Sequence, residues 1–215
     1  VDDFTHTVAL VQMVLEASIH WGQFPTKQIA LRSHYFRTTG LGPANLASLL
    51  MAAGYPYDSG EARALAASIQ GILTGYSYYV SSLMAQKLSP FEKYSLNAEH
   101  MLRVIRNHSR VAGARADGYE GLSYEPMKVD HKLLDAMGFR NISDILKRSW
   151  DLAYESGTKF GYRNAQVTVV APTGTISFAM DCGATSVEPF YAHVIYKKLI
   201  SGNSMVMVNP VIETA

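Results

Sequence analysis

The stretch Gln166-Val167-Thr168-Val169-Val170-Ala171-Pro172-Thr173-Gly174-Thr175-Ile176-Ser177 decides how this chain is read. Its first five residues are rich in β-branched side chains, which predicts a buried strand. The strand then leaves into a short loop of proline, glycine and hydroxyls. Such a loop can aim backbone N–H groups and the hydroxyls of Thr173, Thr175 and Ser177 at one anion. A helical turn starting there adds its N-terminal partial charge. The loop holds no Lys or Arg, so dipoles rather than full charges would bind the anion. The same residues also suit a plain turn with local capping, and the loop alone leaves both readings open.

The bulk of the chain narrows the classes. It has 215 residues, 48% hydrophobic and 17% charged, enough for one or at most two globular domains with a sizeable core. A net charge of +1 gives no electrostatic footprint for a nucleic-acid duplex. No apolar run reaches membrane-span length and no signal-peptide pattern opens the chain, so the expectation is a soluble cytoplasmic protein without nucleic-acid or membrane partners. One cysteine, Cys182, excludes an internal disulfide framework. The chain opens on Val1 rather than Met and ends at Ala215 in mid-pattern, as a piece of something longer would.

Periodicity predicts mostly helices. Phe4, Val8, Val11, Leu15 and Ile19 share one face of a first helix, which Gly22 and Pro25 stop. A short helix is expected over Thr26–Ser33, then a strand over Phe36–Leu41 entering a Gly40-Leu41-Gly42 turn. Pro43 suits the first turn of a helix reaching about Ala53. A long helix follows from about Ser59 to Lys87, capped by Asp58 or Ser59 and ended by Ser89-Pro90, with Gly71 and Gly75 placed for close helix packing. Further helices are expected over Asn97–Gly113, Asp130–Met137 and Ser143–Glu155, the last capped by Ser143. The stretch from Gly113 to Val129 reads as a surface loop or hinge. Two β-like runs, Tyr191–Ile200 and Ser204–Val208, close the chain. Few strands separated by helices predict an α/β fold with consecutive strands parallel.

Several blocks carry a resemblance. Phe160-Gly161-Tyr162-Arg163-Asn164-Ala165 runs into the strand and loop above, and Met180-Asp181-Cys182, Ser186-Val187-Glu188-Pro189-Phe190 and Tyr196-Lys197-Lys198-Leu199 follow. Some 130 residues earlier stand Phe36-Arg37-Thr38-Thr39-Gly40-Leu41-Gly42-Pro43-Ala44-Asn45-Leu46-Ala47 and Gly54-Tyr55-Pro56-Tyr57-Asp58-Ser59. In this order they resemble the large, catalytic subunit of ribonucleotide reductases, in particular the class II, adenosylcobalamin-dependent enzymes. The resemblance covers nearly the whole chain and matches the C-terminal part of the catalytic barrel. It implies a helix-rich second half of a ten-stranded α/β barrel. Residues 1–215 would be one partial barrel domain, helical over about 1–158, with strand, phosphate-type loop and closing strands over about 160–215.

The resemblance also implies roles. Ala171, Pro172, Thr173, Gly174, Thr175, Ile176 and Ser177 would bind the substrate phosphates, and Glu188 and Pro189 would support that site. The reaction would be reduction of a ribonucleoside diphosphate to its 2′-deoxy form by thiyl-radical chemistry. Adenosylcobalamin would be the cofactor, a thioredoxin-like protein the reductant, and an upstream catalytic half the partner. The family's thiyl cysteine lies in an Asn-x-Cys-x-Glu pattern. The context Met180-Asp181-Cys182-Gly183-Ala184 does not match it, so no catalytic residue is expected in this segment, and Cys182 reads as a structural thiol. Ser186-Val187 replaces the family's Gly-Ile before Glu188, and Cys182-Gly183-Ala184-Thr185 departs from its usual acidic, Thr-rich sequence.

Other features carry no chemistry of their own. Asn45 stands where a dinucleotide fingerprint needs its third glycine, so Gly40-Leu41-Gly42 reads as a tight turn. No histidine pairs at metal-ligand spacing, and no metal site is expected. Tyr78-Tyr79 reads as packing. The alternatives are a class I large subunit, a non-catalytic nucleotide-phosphate binder, and one half of a split reductase.

Overall fold

The computed structural model describes residues 2–116, 118–190, 192–198 and 201–212. Eight helices and two strands are described: α1 (Asp2–Trp21), α2 (Lys27–Phe36), α3 (Leu46–Ala52), α4 (Gly60–Leu88), α5 (Tyr94–Val111), α6 (His131–Ala136), α7 (Arg140–Phe160), α8 (Ile176–Ala179), β1 (Val194–Lys198) and β2 (Ser204–Val208). They form two compact units that interleave along the chain. The first holds residues 1–41 and 67–169, the second 42–66 and 170–215.

The first unit is built on α1, most of α4, α5 and α7. Its core joins Ile72 of α4, Met101 and Ile105 of α5, Leu146 and Trp150 of α7, and Phe91 and Tyr162. The close packing expected of Gly71 and Gly75 is present. A Cβ on Gly71 would lie 2.6 Å from Leu146 Cδ1, and one on Gly75 would lie 3.0 Å from Trp150 Nε1. Tyr78 packs edge-on against Tyr162, as its packing role requires. Ser59 caps α4 by accepting the N–H of Ala62 at 3.0 Å.

A parallel ladder of extended backbone runs through this unit. Ala165 N–H donates to Phe36 O, Thr39 N–H to Gln166 O, Leu41 N–H to Val167 O, and Val169 N–H to Leu41 O. The expected strand over Phe36–Leu41 does not form: α2 continues through Phe36, Arg37 ends it in the left-handed region at φ 48°, and Leu41 alone makes a parallel bridge, to Thr168. The expected strand at Gln166–Val170 is extended backbone with one isolated parallel bridge, Leu41 to Thr168, and its burial centres on Val167. Val167 is fully buried, while Val169 and Val170 are 39% and 53% exposed. Among the described residues one neighbouring segment pairs with it, so its later side chains lie open. Gly40 is required by close approach, since a Cβ there would sit 2.9 Å from Val169 Cγ1.

The buried face of α1 is partly polar. Gln12 and Glu16 are buried beside Val8 and Ile19. Glu16 accepts from Arg37 Nε at 2.6 Å, Arg163 Nε at 2.7 Å and Asn164 Nδ2 at 2.6 Å. Asn164 also donates to Arg37 O and accepts from Ser81 Oγ, and its N–H donates to Ser81 Oγ. This network pins α1, α4 and both extended segments to one another. Burial of charge is tolerated here because each group is paired and hydrogen-bonded.

Three helix starts differ from the sequence expectation, and α5, expected from Asn97, begins at Tyr94. Asn45 adopts φ 67°, which no helix can contain, so α3 begins at Leu46 and Pro43 lies outside it. Helix α7 begins at Arg140, so Ser143 is not its cap. Ser143 is buried and hydrogen-bonds His131 Nδ1 at 2.6 Å. The stretch after Gly113 is held to α5 by Glu120, which pairs with Arg106 and Arg110, while Asn107 bonds both backbone groups of Glu120. Those arginines hold the Glu120 carboxyl down to about 2.

In the second unit the last two strands are antiparallel, Val194 facing Val208 and Lys198 facing Ser204. Parallel pairing was expected of consecutive strands. The connection is too short for a crossover, and Gly202 turns it at φ 88°. Tyr191, Leu199 and Ile200 of the expected first run lie outside the described residues.

Candidate functional site

The loop 171–177 belongs to the second unit and is braced from within. Thr173 sits in the left-handed region at φ 52°. Its carbonyl accepts the N–H of Ser177 at 3.0 Å. Its hydroxyl bonds that of Ser177 at 2.9 Å and accepts the N–H of Ser186 at 2.7 Å. Ser177 is buried, so these two hydroxyls serve each other and the turn behind them. Ala171 is half-buried and Pro172 exposed.

Gly174, Thr175 and Ile176 form the open edge of the loop. Among the described residues no acceptor takes their backbone N–H groups. Gly174 has no left-handed φ, and a Cβ built on it would meet nothing within 4 Å. Neither backbone strain nor packing within the chain requires glycine there. The open face over Gly174 is a place where another molecule can approach main-chain donors closely. The loop can thus bind an anion through neutral donors, with Thr175 as the one exposed hydroxyl.

Glu188 and Pro189, the expected support, lie in the turn that follows the loop. Glu188 accepts from Thr185 Oγ1 at 3.2 Å and donates its N–H to Thr185 O at 3.0 Å. Between them Ser186 reaches Thr173, as given above, and its carbonyl accepts the N–H of Leu46 at the start of α3. Asn45 accepts the N–H of Ala184 at 3.1 Å. Tyr57 hydrogen-bonds the carbonyl of Val187. Pro189 is exposed beside a shallow apolar groove shared with Tyr57 and Met51. Ser186, Asn45 and Tyr57 were not foreseen as loop supports. Their side-chain types are common in turns, and only the fold brings them to residues 184–187.

Behind the loop is a cavity of about 50 Å³, lined by Ser177, Phe178, Cys182, Phe190, His193 and Ile195 among others. Cys182 is half-buried, and burial with the neighbouring Asp181 pushes its thiol up, away from the reactive thiolate. Among the described residues no three His, Cys, Asp or Glu side chains cluster to hold a metal ion. No described helix is long and apolar enough to cross a membrane.

The family model described as ribonucleotide reductase, barrel domain, matches residues 1–215. The chain belongs to this family. It is similar to proteins named vitamin B12-dependent ribonucleotide reductase from Agrobacterium fabrum, at 48% identity over 96% of this chain, and from Bradyrhizobium diazoefficiens, at 45% over all of it. It is more distantly similar to a ribonucleoside-diphosphate reductase subunit alpha from Chlamydia pneumoniae, at 27% over 91% of this chain. The chain spans 16% and 17% of the length of the first two relatives. The helix-rich α/β architecture with a parallel bridge between Leu41 and Thr168 accords with a barrel-domain segment.

Proposed function

We propose that this chain is the phosphate-positioning part of the catalytic barrel in a vitamin B12-dependent ribonucleotide reductase. The whole protein would reduce a ribonucleoside diphosphate to the 2′-deoxyribonucleotide, in the cytoplasm, with electrons from a thioredoxin-like partner. The ladder of segments 36–41 and 165–169 would be part of the second half of a ten-stranded barrel, and residues 1–215 one partial barrel domain. The similarity to two B12-dependent relatives over nearly the whole chain supports the class.

The observation that carries the phosphate role is the open edge at Gly174, Thr175 and Ile176, with free N–H groups and space over Gly174. Thr173 and Ser177 lock that edge, and Ala171 and Pro172 lead the chain into it. Glu188 and Pro189 belong to the turn that braces it. Holding the phosphates fixes the ribose for chemistry performed elsewhere in the protein, which is orientation rather than bond-making. Bound adenosylcobalamin supplies the radical. A corrin needs far more room than the 50 Å³ cavity, since even a drug-sized ligand needs about 300–1,000 Å³. That cavity is therefore not its site, and no step is assigned through it. With Cys182 as its one thiol, half-buried and pushed towards the neutral form, this segment alone is expected to be inactive.

The test is Gly174→Val in the full-length protein. A branched side chain over the open edge is expected to weaken CDP binding at least tenfold. Unchanged CDP affinity would remove the phosphate assignment. Turnover of CDP by residues 1–215 alone, with cobalamin and a dithiol, would contradict the division of labour.

A further inference from the structure

The loop itself has no basic residue, but the fold brings one beside it. The Lys197 ammonium lies over the ring of Phe178, 3.3 Å from its centroid. Phe178 follows Ser177 directly, and both line the cavity behind the loop. On β1 side chains alternate between faces, and Ile195 and Lys197 are the two half-buried positions among exposed ones. Ile195 lines the same cavity. This half-buried face of β1 therefore seats Lys197 on Phe178, the residue that directly follows the phosphate-type loop.

No carboxylate ion-pairs with Lys197 among the described residues. An aromatic face holds an ammonium in place while leaving N–H groups free to donate. Lysine binds phosphate as a compact point charge on a flexible stem. We propose that Lys197, seated on Phe178, is a positioning residue that supplies the full positive charge for the substrate phosphate at the open edge of the loop. This rests on the phosphate reading of the loop given above. It changes the chemistry of that site from neutral donors alone to neutral donors plus one cation. It also gives β1 a role in binding, and Phe178 the role of fixing where the charge stands.

The test uses the full-length protein with CDP and cytidine as probes. Lys197→Met is expected to weaken CDP binding about tenfold, to leave cytidine binding unchanged, and to flatten the salt dependence of CDP affinity. Lys197→Arg keeps the charge and is expected to recover most of the affinity. Phe178→Leu removes the seat and is expected to weaken CDP binding less than Lys197→Met does. Gly174→Val separates the two ideas. If it weakens CDP binding while Lys197→Met leaves affinity and salt dependence unchanged, the loop stands and the Lys197 role is overturned. If neither variant affects CDP, both fall. Equal loss of CDP and cytidine binding in Lys197→Met would show a structural effect and also overturn the role. Circular dichroism and melting temperature check that each variant is folded.

Discussion

The carboxylate of Glu16 and the Nε of Arg37 lie 2.6 Å apart, each side chain only 6% exposed. Arg163 adds a second charged contact to the same oxygen at 2.7 Å. Three charged side chains thus meet, two of them almost fully buried and Arg163 at 18% exposure, and Asn164 takes the remaining carboxylate oxygen. Glu16→Ala leaves two arginines without their counter-charge. The expected cost is about 3–5 kcal/mol, the range for breaking a buried pair by removing one partner. It would be read as a marked fall in melting temperature, and an unchanged temperature would mean that the arginines find other partners.

The conformation of His131 sets a pH response. Its Nε2 lies 2.9 Å from the carbonyl of Ala112, which can only accept, so Nε2 carries the proton and Nδ1 accepts from Ser143. Burial first, and Lys147 second, push its pKa below the usual value. The unfolded chain then binds more protons than the folded one between the depressed value and 6.5, and stability rises with pH across that window. Acidification from pH 7.5 through that window should lower the urea midpoint in the wild type. The decrease should be smaller in His131→Gln, and identical slopes would show that His131 is not the group responsible.

Gly157 is the one glycine of α7. A Cβ there would lie 1.9 Å from Tyr162 Oη, and Tyr162 is fully buried with its hydroxyl donating to Ala153 O at 2.8 Å. Alanine gains about 0.8–1.0 kcal/mol in helix propensity. Overpacking a filled core costs about 1–3 kcal/mol, occasionally more. The clash with a fixed ring outweighs the propensity gain, so Gly157→Ala should be destabilising by thermal melting.

Gly174 should behave in the opposite way. Its alanine variant meets no neighbour within 4 Å and needs no left-handed φ. Gly174→Ala should leave stability within about 0.5 kcal/mol of the parent, as an ordinary surface change does. A large loss of melting temperature would mean that the loop needs glycine for folding, and Gly174→Val could not then be read as a binding variant.

The helices were legible because their periods are strong. The run of Leu65, Ile69, Ile72, Tyr76 and Val80 marks α4, and Ser59 caps it. The helix packing at Gly71 and Gly75 was legible for the same reason, since two glycines four apart lie on one face. Boundaries were less legible. Asn45 and Arg37 take left-handed conformations that local pattern does not signal, and Ser143 looked like a cap while serving His131. The buried polar face of α1 was not legible because Gln12 and Glu16 carry no hydrophobic signal; their partners are 21 to 152 residues away on other segments.

The sequence by itself determined the helical framework, the family, and which short loop deserved attention. These depend on residue type and local spacing, which are written along the chain. Tertiary structure alone decided that Thr173 and Ser177 brace the loop while Gly174, Thr175 and Ile176 stay open. It alone closed the last two strands as an antiparallel pair, and it alone placed Lys197 on Phe178. Hydrogen bonds and ring contacts depend on distance in space, and residues 19 apart in sequence meet only when the backbone between them has folded back.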